Sequence, residues 1–531
     1  MLSVDQNGFV ENQPPIGMEK VAVSEEKALV IVDEDNRVLL SVNKDGVVEN
    51  QPVPEVVDNR PEVNDIFFIE ENKVLRANEK SIETVFAPDF PISHISNYLN
   101  GFKLVADKPF KTNKTVLSVA TSGQLFKYHR KLLIHFILYG QSLSVGARGQ
   151  PLISLIQKYL EDSLMPWSST DNKVDLHMGK PTGATDQNVV LDTSKIDGFQ
   201  SLISTPDYFG GSRGETIAPA CALSLQDALV GAIGEPAKLL FTQAGVGSSP
   251  YSALKKGTVC YDNLLRSIEK MKELAERDGY EYVTPAILLL HGEADRGSIT
   301  YDGDLIQWQT DLNTDIKAIT GQACNVHMLM GQSSSFFASE TSLRGALANI
   351  KAHRASEFLT LVTPQYRQEY SFDELHMSSK GYFHTGEYFA KAILKQFFSD
   401  KGKWQPVMPK TVTYDGDMTI DIDFHVPVKP LVLDTESTWR GGLYGFEFRD
   451  STSSAQVISV EVTSDESIRI QLNQKPTGTN RRICYAALGH EASPRIGSER
   501  AKGCLRDSDP TLSKHDGTPL QNWCVSFIET I

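Results

Sequence analysis

Several features that would class a protein at once are missing here. No stretch approaches the roughly 18 apolar residues that a membrane-spanning helix needs. The opening Met1-Leu2-Ser3-Val4-Asp5-Gln6 lacks the basic and apolar regions of a secretory leader. The expectation is no membrane insertion, no signal peptide, and folding in a cytoplasm. Basic residues are in deficit: 52 Lys and Arg against 67 Asp and Glu leave a net charge of −15. Binding a polyanion relies on cations neutralising phosphates, so nucleic acid and anionic membrane are excluded as main partners. The six cysteines form no Cys-x-x-Cys pair and no zinc-ligand grouping, which points to buried reduced thiols. The even spacing of Cys484, Cys504 and Cys524 reads as accidental. No Gly-x-Gly-x-x-Gly opens a helix and no Gly-Lys-Ser is present, so Gln243-Ala-Gly-Val-Gly-Ser-Ser249 is a pocket rim at most, not a nucleotide site. No cofactor and no metal are expected.

What is present is 531 residues with 40% hydrophobic and 22% charged side chains, enough for two to four ordinary globular domains. Three textures follow one another. In residues 1–115, Leu2 to Pro14 returns as Leu40 to Pro52 with nine of thirteen positions identical. Each copy sets Asn-Gly or Asp-Gly between β-prone residues, the chemistry of a tight hairpin turn. A second pair, Leu29 to Leu39 and Ile66 to Leu75, also recurs. Units this short bury no core alone. They predict a β-rich region that docks or oligomerises, the alternative being a monomeric β-domain. From 125 to 400, short apolar runs alternate with amphipathic stretches, the α/β signature. Strands are predicted at Leu132–Leu138, Leu239–Phe241, Ala286–Leu290, Asn325–Met330 and Phe358–Val362. Helices are predicted over Leu152–Leu160, Tyr261–Leu274 and Gly381–Phe397. From 406 to 531 strict alternation, as in Met418, Ile420, Ile422, Phe424 and Val426, predicts a β-sandwich.

Chemistry collects where α/β strands end. The first strand runs into Tyr139-Gly140-Gln141-Ser142-Leu143-Ser144-Val145-Gly146. A serine there faces the crevice, but its hydroxyl is a weak nucleophile that needs a base and an orienting acid. Asp373-Glu-Leu-His376, between the last strand and the last helix, offers both within one turn: the carboxylate would fix the imidazole through Nδ1 and leave Nε2 for the serine. Alone such a pair is weak, since 12 histidines yield about one by chance. Chain order adds weight, because one motif opens the α/β region and the other closes it. Ser212-Arg213-Gly214-Glu215-Thr216 precedes a helical stretch, where the Gly214 amide could meet a developing oxyanion. Leu290-His291-Gly292-Glu293-Ala294-Asp295 follows a buried strand. Gln141, Arg213, Glu293 and Asp295 are candidate pocket residues. Plain alternatives stand beside each: a turn serine, a structural Asp/His bridge, a packed His291, a helix-opening Gly214. Gly331-Gln332-Ser333 is a second Gly-Gln-Ser at a strand end, a decoy whose Ser333 is expected at most to line the pocket.

These four blocks, in this order, resemble the SGNH (GDSL-like) hydrolase superfamily, in particular its branch of sialate and carbohydrate O-acetylesterases with Gly-Gln-Ser in place of Gly-Asp-Ser. The resemblance implies a central α/β/α flavodoxin-like domain, with Ser142 as nucleophile and Asp373/His376 as base pair. It also implies an oxyanion hole from the Ser142 and Gly214 amides. Where the branch often has Gln before Gly-Glu, this chain has His291, a candidate third donor. Hairpin repeats before such a domain and a sandwich after it resemble bacteriophage tailspikes and tail fibres that deacetylate host polysaccharide. The ending Gly503-Cys-Leu-Arg506-Asp507-Ser508-Asp509-Pro510 with Asn522-Trp523 resembles theirs too. That likeness implies a virion protein assembled in the host cytoplasm. It would be a homotrimer that acts on acetylated O-antigen or capsule and contacts other tail proteins through its N-terminal region. The alternatives are a bacterial sialate or other glycan O-acetylesterase without a virion role, and a non-catalytic receptor-binding fibre.

The repeat generates one test. Apolar residues such as Ile31, Val38, Leu40, Phe67 and Val74 in short hairpins need covering, and packing about a threefold axis covers them. Solution mass is expected to show a homotrimer that weakens when residues 1 to about 115 are removed, with esterase activity kept by the remainder. A monomer at micromolar concentration would remove the fibre reading.

Overall fold

The computed structural model describes residues 20–22, 27–32, 38–43, 48–49, 66–70, 73–77, 82–84, 117–121, 124–128 and 131–531, apart from 211–212, 336–340, 400, 440 and 488–500. The chain divides into two compact units, residues 1–115 and 116–531. In the first unit the described strands are antiparallel: Lys20–Ala22, Lys27–Val32, Val38–Asn43 and Val48–Glu49 form one sheet, and Ile66–Glu70, Lys73–Ala77 and Ile82–Thr84 another. Part of the second repeat copy falls on Val38–Asn43 and Val48–Glu49. The first copy, residues 2–14, lies outside the described residues.

The second unit is built on a seven-stranded sheet. Its strands are β1 (Leu132–Gly140), β2 (Ser163–Trp167), β3 (Gly198–Ser201), β4 (Lys238–Gln243), β5 (Glu281–Leu290), β6 (His327–Gln332) and β7 (Leu359–Pro364). They lie in the order β3-β2-β4-β1-β5-β6-β7, all parallel except the edge strand β3. The order reverses at β1, whose neighbours are β4 and β5. That switch point opens a crevice at the carboxyl end of β1.

The periodicity of β1 shows why it is central. Ile134, Phe136 and Leu138 point into one core and Leu133, Ile137 and Tyr139 into the other, so no position is left for solvent. The first core is closed by α1 (Ile217–Ile233) and α5 (Ser379–Phe397). The second is closed by α2 (Val259–Arg277), α3 (Tyr301–Thr320) and α4 (Arg344–Ala355). In α2 the stripe Tyr261, Leu264, Ile268, Met271, Leu274 is buried, and the Thr258 hydroxyl caps its start by accepting from the Tyr261 amide. No described helix is long and apolar enough to cross a membrane. All six cysteines are buried and none forms a disulfide.

Two expectations change. Residues 152–160 carry a helical stripe but form a loop, leaving Leu155, Ile156 and Leu160 exposed. The reason is a competing acceptor: the buried Glu215 carboxylate takes the Ile153 amide at 2.9 Å, the Ser154 amide at 3.0 Å and the Ser154 hydroxyl at 2.6 Å. Amides spent on a carboxylate are lost to a helix. Strands β2 and β3 were not expected, because β2 is five residues long and contains Pro166.

The C-terminal region is antiparallel. One sheet joins Met408–Tyr414, Thr419–His425, Ser467–Leu472 and Val457–Val462, and another joins Phe446–Arg449, Arg482–Tyr485 and Phe527–Thr530. Ile420, Ile422, Phe424, Ile468 and Ile470 of the first share a core with Phe446, Ile483, Tyr485 and Phe527 of the second, as in a sandwich. Ile350, Leu361 and Tyr366 from the α/β layer belong to that same core, so residues 116–531 hold together as one body. Gln332 at the end of β6 seals the seam: its amide donates to the Ser526 carbonyl at 2.9 Å and accepts from the Ser526 amide at 2.8 Å.

Glu215 supplies the test. Its removal leaves the buried Ser154 amide and hydroxyl and the half-buried Ile153 amide without an acceptor, so Glu215→Ala is expected to cost about 3 kcal/mol. Equilibrium unfolding in urea checks it, and an unchanged midpoint would contradict the role of this carboxylate.

Candidate active site

Strand β1 delivers the turn that carries Ser142. Gly140 has φ +126°, and a Cβ there would sit 2.2 Å from the Leu290 carbonyl, so only glycine lets β1 end this close to β5. The turn then closes on itself. The Ser144 amide and hydroxyl donate to the Gln141 carbonyl at 2.8 and 2.7 Å, and the Ala147 amide donates to the Ser142 carbonyl at 3.1 Å.

The second contributor is the loop between β7 and α5. The Ser371 amide donates to the His376 carbonyl at 2.8 Å, the Glu374 amide donates to the Ser371 carbonyl at 2.9 Å, and Glu374 takes φ +55°. The Ser335 hydroxyl holds the Leu375 carbonyl from outside at 3.1 Å. At its far end Ser378 caps α5 by accepting from the Gly381 amide.

The two loops meet at His376. Its Nε2 lies 2.8 Å from Ser142 Oγ, and its Nδ1 lies 2.8 Å from Asp373 Oδ2. Asp373 Oδ1 accepts from the Leu375 amide at 3.1 Å and the His376 amide at 3.0 Å. Burial pushes the Asp373 carboxyl up, but the His376 amide and ring and the Leu375 amide outweigh it and bring it to about 2. At neutral pH the group is a carboxylate. The tautomer follows: Nδ1–H donates to Asp373, and Nε2 is left to accept from the Ser142 hydroxyl.

The other candidate residues sit differently. The Gly214 amide donates to the Gly146 carbonyl at 3.0 Å, and a Cβ on Gly214 would lie 2.2 Å from the Gly149 carbonyl. Its N–H is therefore committed to holding loops together, which corrects its expected place in the oxyanion hole. His291 is corrected as well. Its Nε2 is 3.0 Å from the Ser249 carbonyl and its Nδ1 2.5 Å from the Tyr301 hydroxyl, and burial holds it below the usual imidazole range. Both nitrogens serve the fold. Gln141 and Glu293 are buried and bonded to each other at 2.8 Å, with Gln141 Oε1 accepting from the Ala294 amide at 3.1 Å. They lock the Ser142 turn to the loop after β5 and are not open to a ligand. Asp295 accepts from the Tyr251 amide at 2.8 Å. Ser333 is buried, 3.0 Å from where a Cβ on Gly292 would be. Arg213 pairs with Asp207 at 3.4 Å. No group of three or more His, Cys, Asp or Glu suited to a metal occurs among the described residues.

One residue escaped the sequence reading. Arg148 Nε donates to Asp373 Oδ2 at 3.1 Å, and its guanidinium lies 4.8 Å from the ring centre of the exposed Phe372. No motif or periodicity flags an arginine six residues past a serine.

No family model matches the chain, and no curated protein matches it. Several solved structures are similar to it. XAC1771, a carbohydrate acetylesterase from Xanthomonas citri, is 10% identical with a TM-score of 0.45, over 77% of this chain and 83% of that one. An Arabidopsis thaliana protein is 14% identical with a TM-score of 0.36, over 51% of this chain and 100% of that one. NanS is 13% identical with a TM-score of 0.34, over 50% of this chain and 98% of that one. At such identities and scores the functional reading rests on the site's own geometry.

The Asp373 carboxyl predicts a pH signature in stability. Folded it titrates at about 2 against an ordinary 3.8, so the unfolded chain binds more protons at this position in between. Its contribution is present above about pH 4 and fades as pH falls through 2. Urea midpoints of wild type and Asp373→Asn are expected to differ more at pH 6 than at pH 2.5. A gap that widens in acid would contradict this.

Proposed function

We propose that the protein is a serine esterase that removes O-acetyl groups from a glycan. The observation that carries this is the unbroken hydrogen-bonded chain Ser142–His376–Asp373 at the carboxyl end of the central strand. Ser142 Oγ attacks the acetyl carbonyl carbon as His376 Nε2 takes its proton, and Asp373 stabilises the imidazolium. The negative oxygen that forms is met by the Ser142 amide, which has no acceptor among the described residues. The proton then passes from His376 to the departing sugar oxygen. Water repeats the sequence on the acetyl-serine, releasing acetate. The glycan as substrate rests on the sequence blocks that resemble O-acetylesterases. The virion role, with acetylated O-antigen or capsule as substrate and trimeric tail attachment, is a finer proposal that rests on the N-terminal repeat.

Ser142→Ala is expected to lower acetate release from acetylated polysaccharide by about 10^4-fold or more while glycan binding persists, since the hydroxyl is used only in the chemical step. Ser333→Ala, the decoy, should stay within about threefold of wild type, because that serine is buried against Gly292 at the end of β6 and His376 is bonded to Ser142 instead. Exchanged results would move the nucleophile. Prolonged chelation should leave turnover unchanged, and activity restored only by added zinc would overturn the metal-free mechanism.

A further inference from the structure

Arg148 occupies a position that stability alone does not explain. It takes φ +66°, a backbone region costly for a residue with a side chain and one that tends to persist at functional sites. The conformation is held from both sides: the Tyr382 hydroxyl donates to the Ala147 carbonyl at 2.8 Å, and the Gln150 amide donates to the Arg148 carbonyl at 2.8 Å. The result is a guanidinium carried on the Ser142 turn and bonded to the carboxylate of the opposite loop. With side chains 38% and 22% exposed, such a pair adds little to folding.

Asp373 Oδ2 accepts from two donors, Arg148 Nε at 3.1 Å and His376 Nδ1 at 2.8 Å. One donor is always charged and the other is charged only when the imidazole is protonated. Other ionisable groups of the surrounding elements have partners of their own. Tyr382 donates to Ala147, the Tyr370 hydroxyl to the Gln365 carbonyl, Glu293 holds Gln141, Glu369 accepts from Ser378, and Arg213 pairs with Asp207. Glu374 lies on the same loop, one residue past Asp373, with its backbone turned into the left-handed region.

We propose that Arg148 is a positioning residue that clamps Asp373 across the two loops and restrains its pull on the His376 proton. It goes beyond the esterase reading because it concerns the charge balance of the pair. Two like charges on one carboxylate oxygen oppose each other, so the arginine offsets part of the carboxylate's attraction for a protonated imidazole. Removing the charge leaves that attraction unopposed.

The test is an NMR titration of His376 in full-length protein carrying 13C-labelled histidine, assigned by the signal lost in His376→Asn. Arg148→Met is expected to raise the midpoint by about 0.5 to 1 pH unit, whereas Arg148→Lys stays near wild type because the charge is kept. Arg148→Gln, also neutral, replaces the methionine variant if that one does not fold. In hydrolysis of p-nitrophenyl acetate, the acid limb of kcat/KM should move with the NMR midpoint while KM stays within about twofold. An unchanged midpoint in a folded neutral variant overturns the proposal, and so does an equal shift in the lysine variant. A shifted midpoint in a protein with no Ser142-dependent hydrolysis would leave the clamp standing and remove the esterase reading.

Discussion

A single imidazole, hydrogen-bonded at both nitrogens, joins parts of the chain that are 234 residues apart. For His376 to touch Ser142 and Asp373 at once, the end of β1 and the start of α5 must arrive at one place within a few tenths of an ångström. The sheet does this by setting β1 at its centre, filled on both faces, with α5 packed across the core that β1 lines. Whatever loosens that packing loosens the hydrogen-bonded chain.

Much of the polar lining near the carboxyl ends of the strands serves this placement. Gln141 and Glu293 bind each other, the Gly214 amide is spent on Gly146, and Glu215 gathers the amides of residues 153 and 154. His291 bridges Ser249 and Tyr301. Buried polar groups must be satisfied somewhere, and here they are satisfied by one another. Few donors are then left to act on a substrate, and the Ser142 amide is one of them. The C-terminal sheets belong to the same economy of contacts, since Gln332 and Lys391 reach from the α/β layer to Ser526 and Asp509.

The sequence made β1, β4, β5 and the helices α2 and α5 legible because their apolar residues repeat with one clear period. The strand expected at Asn325–Met330 lies at His327–Gln332, a shift of two, because the polar His327 and Gln332 are buried along with the apolar residues between them and mark no boundary. The helix expected at 152–160 failed for a reason no local pattern contains: its amides bind a glutamate 61 and 62 residues away. Ser142, Asp373 and His376 stood out by residue type and chain order, and the fold brings the three together. Gly214 and His291 were legible as positions near the crevice, but the partners that consume their N–H groups come from distant loops. Arg148 was illegible because its partner is 225 residues on.

The most direct measurement is covalent. An organophosphate ester, which phosphorylates only a serine activated by a neighbouring base, should modify the folded protein at one position, and peptide mass spectrometry should place that label on Ser142. Labelling should vanish in His376→Ala. A label on Ser333 or another serine, or full acetate release by a protein that takes no label, would contradict the account.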